Sequence, residues 1–429
     1  MKKVLLAVLA ILVVFSAIAV TYAAPGKITL RVAWWGNPVR DARTVKVIEM
    51  YMVKNPNVTI ETETTGWAGY WDKLASQAAA GNLPDIIQHD YTYLNQYVVK
   101  NLLLDLTPYV KAGKLNLSNV SESYLSSGRA KKRLYAVSLG TNATCIIYDP
   151  AILQKAGVAA PTPDWTWADF EKMALEIYKK TGVQTLPFGT TDPRLVFEHW
   201  VRQTKKAMFN PKDGSSLGFS DRKLLTEFFA MQLRLLKAGA LVKPDTAFVT
   251  VTTNESPFVK GQSWLNFIQS NQVVAFQAAT KRPVGIALFP KIAGAKRPGT
   301  FFKPSMFFTV ARTSPNKDEA VKFVNYFMND VEANRVLLAE RGIPIVPQIR
   351  EDLAGMVDPV SKQVFDYINL VGSKYASPID PADPVGTGEV LKVLRNVEQE
   401  VLFGSTSPSD AAAKFMRQAN EILSKNKAN

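Results

Sequence analysis

The chain has 429 residues, with 51 lysines and arginines against 37 aspartates and glutamates, a formal charge of +14, two histidines and one cysteine. That length is ample for two domains, and a single cysteine, Cys145, excludes a fold held by intramolecular disulfides. The basic residues are dispersed, their densest group being Arg129, Lys131, Lys132 and Arg133, and no nucleic-acid motif accompanies them, so the charge reads as surface chemistry and no nucleic acid is expected as a partner.

In chain order, Lys2 and Lys3, the apolar run Val4 to Val20 and the small residues of Thr21-Tyr22-Ala23 make a secretory leader over 1–23, with cleavage expected after Ala23. The alternative is an uncleaved anchor, since the run is nearly long enough to span a bilayer. No cysteine stands at the cleavage point, which excludes lipoprotein processing. The expected product is a soluble periplasmic protein of charge +12.

Leu30-Arg31-Val32-Ala33-Trp34-Trp35-Gly36 reads as a buried strand whose alternation sends the two indoles to opposite faces, with the glycine at its carboxyl end. In open α/β sheets that end is where ligands bind. A flat aromatic there is a platform for a flat ligand, and in an exported protein a sugar ring is the commonest. Arg40 to Lys54 follows as an amphipathic helix, Val58 to Thr62 as a β-branched strand, Tyr70 to Ala80 as a helix and Asp85 to Gln88 as a short buried strand. This β-α-β-α-β order predicts a parallel sheet with helices on both faces.

Further on, Trp165-Thr166-Trp167 opens a helix to Thr181, with Thr166 and Asp169 forming a capping box in all but side-chain length. Helices are expected at Pro193 to Lys206 and Asp221 to Ala238, whereas Ala240 to Gln277 is irregular. Phe307 to Ala311 reads as a strand and Lys317 to Asn329 and Val331 to Arg341 as helices. The last third is helical, punctuated by Asp380-Pro381-Ala382-Asp383-Pro384 and closed by Ser409 to Lys425. The pattern is α/β, in two lobes with the chain crossing between them more than once.

Several ordered segments resemble one family. They include Trp34-Trp35-Gly36 with Arg40 and Thr44 behind it, Gly66-Trp67-Ala68-Gly69-Tyr70-Trp71, Ala79 to Ile87, Leu104 to Tyr109, Leu134 to Val137 and Ile147-Tyr148-Asp149. Lys155-Ala156-Gly157, Trp165-Thr166-Trp167, Ser314 to Phe323, Gly342-Ile343-Pro344 and Pro408 to Ala412 continue the series. By their order and spacing the chain resembles the extracellular solute-binding proteins of carbohydrate ABC transporters, the class that includes maltose-binding protein. Ser138 stands where the pattern has proline, and the basic stretch Arg129 to Arg133 replaces a glycine-rich turn.

The resemblance implies a two-lobe periplasmic binding protein fold, each lobe a mixed sheet flanked by helices. It implies hinge strands near Ser138 to Thr141, Phe307 to Val310 and Pro344 to Pro347. The first lobe would combine 25–140 with 308–345, and the second 141–307 with 346–429. It also implies capture of a sugar between the lobes, delivery to ABC transporter permease subunits, no reaction and no cofactor. A monomer is expected.

Sugar sites stack aromatic rings on C–H faces and bridge vicinal hydroxyls with carboxylates and amides. One of Trp34 and Trp35 is expected to line the cleft while the other packs inward. Asp90, after the strand Asp85 to Gln88, matches an acidic ligand contact of the family, with a helix cap as the alternative. His89 beside it, Arg40 near the start of the first helix and Trp67 in its glycine-flanked loop are further candidates. The resemblance adds Asn142 just past the first hinge, Trp264 as a stacking platform from the second lobe, and Ser305 before a hinge strand. The aromatic content favours an oligosaccharide, and the positive charge would suit an acidic one.

Two other classes stay open on the residues alone. An exported glycoside-active enzyme needs two carboxylates facing each other across the bond, and Asp85, Asp90 and Asp149 are available. A binding protein for a non-sugar solute is the third. No Gly-x-Ser-x-Gly occurs and the histidines lack metal-ligand spacing, so serine-hydrolase and metal readings have no support.

Overall fold

The computed structural model describes residues 26–36, 38–130, 132–190, 192–249 and 253–428, so the expected leader lies outside the described residues. Among the described residues nine strands follow in order: β1 (Ile28–Trp35), β2 (Val58–Thr65), β3 (Ile86–His89), β4 (Arg129–Ala130), β5 (Arg133–Leu134), β6 (Val137–Tyr148), β7 (Leu265–Gln269), β8 (Gly285–Ala287) and β9 (Phe302–Val310). β1 pairs in parallel with β2 and with β3, as the β-α-β-α-β reading requires. Antiparallel β9 and β6 extend the sheet, and β7 and β8 both pair the far half of β6.

Two lobes result because β6 and β9 run through both. β9 pairs β3 from Phe307 to Val310 and β6 from Phe302 to Phe308. The β6–β9 register shifts between Ser138 and Gly140 and again between Gly140 and Thr141. At that irregularity a third segment arrives: the Thr141 amide donates to the Ile343 carbonyl at 2.8 Å. Gly140 is required there, since a Cβ would stand 2.2 Å from the Arg341 carbonyl oxygen.

Helices cover both faces of the first-lobe sheet, which is why Val32, Ala33, Trp34 and Trp35 are buried in succession rather than alternately. Trp34 meets helix Pro38–Lys54 through Asp41, and Trp35 meets helix Trp67–Ala79 through Tyr70 and Trp71. The second lobe has its own aromatic core, with Trp167, Phe170, Phe188, Trp200, Phe228, Trp264 and Phe267 among its buried members. Helix Pro359–Leu370 packs against β6, where the Tyr367 hydroxyl donates to the Thr144 carbonyl at 2.5 Å, and its buried residues Val364, Phe365, Tyr367 and Ile368 join the same core as β1 and β3. The capping box forms as expected, with Thr166 and Asp169 each satisfying the other's amide. The basic stretch Arg129 to Arg133 forms the β4–β5 pair, and Arg129 is tied to Glu122 at 2.6 Å.

Candidate functional site

β1 and β3 end at Trp35 and His89, and helices Pro38–Lys54 and Tyr91–Val99 begin just beyond them. Asp90 caps helix Tyr91–Val99, accepting the Thr92 amide at 2.8 Å through one carboxylate oxygen. Its other oxygen has no partner among the described residues, so the cap and a ligand contact are compatible roles. Tyr91 reaches across the gap: its hydroxyl donates to the Asp380 carbonyl at 2.8 Å. Burial, then the carboxylates of Asp383, Asp380 and Glu198, push the Tyr91 phenol above its ordinary range and keep it a donor.

Three arginines hold the facing wall. Arg202, fully buried, pairs with Asp380 and donates to the Gly299 carbonyl at 2.9 Å and the Ser377 hydroxyl at 2.8 Å. Arg297 also reaches Asp380, at 2.8 Å. Arg194 pairs with Glu198 at 2.7 Å and with Asp383. Burial alone would lower the Arg194 pKa, but Glu198 and Asp383 outweigh it and keep the guanidinium charged. Three cations therefore balance three carboxylates, which is how charges survive out of water. The product is a segment around residues 377–383 fixed to the second lobe and presented to the first.

The hinge side carries a second buried polar group. Arg341 donates to the Gln88 side-chain oxygen at 3.0 Å and to the Thr44 hydroxyl at 2.9 Å. Burial, helped by the nearby Arg40 charge, lowers its pKa to about 9. Gln88 in turn donates to the Trp35 carbonyl at 3.0 Å, so strand ends and hinge share one network.

The structure corrects several expectations. Trp34 is 0% exposed and its indole N–H donates to Asp41 at 2.7 Å. Gly36 makes room for that carboxylate, since a Cβ would lie 1.9 Å from it. Trp35 is 9% exposed and packs edge-on to Tyr70, so neither indole offers an open platform. Alternation placed them on opposite sheet faces, but both faces are helix-covered and the cleft lies at the strand ends. Trp264 is likewise 0% exposed, its N–H donating to the Thr185 hydroxyl at 2.7 Å inside the second-lobe core. His89 is buried against Thr309 at 3.0 Å, and burial lowers its pKa to about 3. These four side chains are buried.

The other candidates divide. Arg40 pairs with Glu340 at 2.8 Å and donates to the Trp35 carbonyl at 3.3 Å, which makes it a strap across the strand end. The Ser305 hydroxyl donates to the Arg341 carbonyl beside the β6 irregularity at Gly140. Asn142 is half-buried on β6 opposite Lys303, one residue past the bulge. The Trp67 side chain lies outside the described residues. Sequence reasoning missed Tyr91, Arg194, Glu198, Arg202 and Asp380. The available signal was the Asp380 to Pro384 stretch, a charged loop too long and too polar for punctuation alone.

Among the described residues no group of three or more His, Cys, Asp or Glu could hold a metal, and no helix is long and apolar enough to cross a membrane.

The family model described as bacterial extracellular solute-binding protein matches residues 46–359. The chain belongs to that family. A solute-binding protein of family 1 from Alicyclobacillus acidocaldarius superposes with a TM-score of 0.86 at 29% identity, covering 94% of this chain and 100% of its own. The sugar-binding protein MalE of Xanthomonas citri shares the fold at TM-score 0.73 and 17% identity, covering 93% and 98%. By sequence, the multiple sugar-binding protein of Streptococcus mutans is 22% identical over 351 residues, 76% of this chain and 77% of that one. The two-lobe α/β reading is thereby established, and this solute-binding protein is an extracellular one by family.

Proposed function

We propose that this solute-binding protein captures a sugar, an oligosaccharide in particular, between its lobes and delivers it to ABC permease subunits. The observation that carries the reading is the opposition of Asp90 and Tyr91 at the first-lobe strand ends to the arginine-held Asp380 segment of the second lobe. The free carboxylate oxygen of Asp90, the Tyr91 phenol and the partly exposed guanidiniums of Arg194 and Arg297 are donor and acceptor types that suit vicinal hydroxyls. The sugar-binding relatives from Streptococcus mutans and Xanthomonas citri point to the same ligand class.

Binding occurs without turnover in this reading. Both histidines are buried and held neutral, with pKa values lowered to about 3 by burial, and the Cys145 thiol is buried and pushed up, so none of the three is poised as acid, base or nucleophile. The lobes divide as 25–140 with 308–345 and 141–307 with 346–429, which the β6 bulge and the Thr141–Ile343 bridge support. The protein acts as a monomer in the periplasm after removal of 1–23. Asp90, Asn142 and Trp67 remain proposed contacts, joined by Tyr91 and Asp380.

A thermal-shift screen across mono- and oligosaccharides tests this, because a ligand that binds only the native state raises its melting temperature. The expected result is a rise of several degrees with a neutral oligosaccharide and its recovery intact. Hydrolysis of that sugar, or a response confined to anionic non-sugar solutes, overturns it.

A further inference from the structure

A groove of the first lobe is lined by none of the residues named above at the Tyr91–Asp380 contact or around Arg341. It encloses about 440 Å³ and is bounded by one face each of helices Trp67–Ala79 and Tyr91–Val99. The volume falls within the roughly 300–1,000 Å³ of small-molecule sites. By contrast, the cavity beside Arg341 holds about 20 Å³ and that beside His199 about 210 Å³.

Helical spacing builds its walls. On the first helix Trp71, Ala75 and Ala79 recur every four residues, with Asp72 alongside; on the second Tyr93, Gln96 and Lys100 share a face. The alanines leave the floor low. At one end Trp71 and Tyr93 stack at 3.9 Å with their planes 22° apart, and Tyr93 is only half-buried. The side chains of Asp72, Gln96 and Lys100 make no hydrogen bond or ion pair with any described residue. Asp72, Gln96 and Lys100 are exposed around this aromatic-ended groove, so a carboxylate, an amide and an ammonium are available there to a ligand's hydroxyls.

We infer that this groove is a second carbohydrate site, separate from the interlobe gap, that takes a pyranose segment of a neutral oligosaccharide. A ring C–H face would lie against the Trp71–Tyr93 end, and the hydroxyls would meet Asp72, Gln96 and Lys100. Neutral rather than anionic sugar fits because Asp72 and Lys100 cancel in charge. The inference rests on the sugar-binding reading for its ligand class but on different residues for its site.

Calorimetric titration with maltotetraose, cellotetraose and xylotetraose decides it, run on the wild type, on Ala75→Trp, which fills the floor, and on the double variant Gln96→Ala, Lys100→Ala. The expected isotherm for a responding sugar has two phases, and both variants weaken the looser phase at least tenfold while leaving the tighter one unchanged. A single phase of one sugar per chain, unaltered in both variants, overturns the second site and leaves the sugar-binding reading standing. No heat with any of the three overturns the second site, and no thermal shift across the wider sugar screen overturns the sugar-binding reading as well.

Discussion

Tyr91→Phe isolates one contact that joins the lobes. The substitution removes one hydroxyl and keeps the ring, which lies near Phe307 with centroids 6.4 Å apart, so the first-lobe packing stays in place. What is lost is the 2.8 Å bond to the Asp380 carbonyl. A neutral hydrogen bond contributes about 0.5–1.5 kcal/mol net, and here the contribution falls on the closed arrangement alone. Ligand affinity includes the free energy of closing, so the dissociation constant should rise roughly 2- to 12-fold. The melting temperature without sugar should stay within about 2 °C of wild type, because neither lobe core is touched. Titration calorimetry with the sugar that scores in the thermal screen reads the first quantity and calorimetric melting the second. Tighter binding would refute the reasoning, since it would mean that the ligand displaces the Tyr91–Asp380 bond rather than sharing the closed state with it.

Trp264→Ala should destabilise the protein by about 3–5 kcal/mol in urea unfolding, the usual cost of emptying a buried aromatic site, while sugar affinity per folded molecule is kept. Near-native stability with lost binding would return Trp264 to the cleft. Asp90→Asn keeps a good helix cap but removes the charge on the unpaired oxygen, so affinity should fall about tenfold or more with little change in melting temperature. An unchanged affinity would reduce Asp90 to a cap. Glu398 is buried with its carboxyl raised from 4.5 to about 7 by desolvation, which the Gly189 amide opposes. The folded state therefore holds that proton more tightly than the unfolded one, and stability falls as pH rises from about 4.5 to 7. Glu398→Gln should flatten that slope in pH-dependent urea melts, and an identical slope in the variant would contradict the assignment.

How far the sequence carried the account varies with the kind of signal. The parallel β1–β2–β3 core was legible because its helices and strands alternate with clear periods and turn residues between them. Helix Trp167–Thr181 was placed by its capping box and helix Lys317–Asn329 by its turn. β7 was not legible: Leu265–Gln269 lies in a stretch without periodicity, and only its pairing with β6 makes it a strand. The extent of β9 was also missed: it begins at Phe302, ahead of the Phe307 start read from the sequence, and includes Pro304, an uncommon strand residue. For the site, aromatic residue type misled. Trp34 and Trp264 carry the chemistry of a platform, but their N–H groups find internal partners and their rings fill cores. Tyr91, Arg202 and Asp380 are far apart in the chain and carry no motif, and only the fold brings them to one gap.

In the proposed function a sugar closes two lobes upon itself, so a distance between the lobes should change on binding. Val53 on helix Pro38–Lys54 is 82% exposed and Phe403, just beyond helix Thr387–Leu402, is 59% exposed, whereas Cys145 is buried and its thiol pushed up by burial, out of reach of labelling. Spin labels on Val53→Cys and Phe403→Cys should report a distance distribution that narrows and shifts when a saturating neutral oligosaccharide is added. A distribution that stays the same while the sugar demonstrably binds would contradict capture between the lobes.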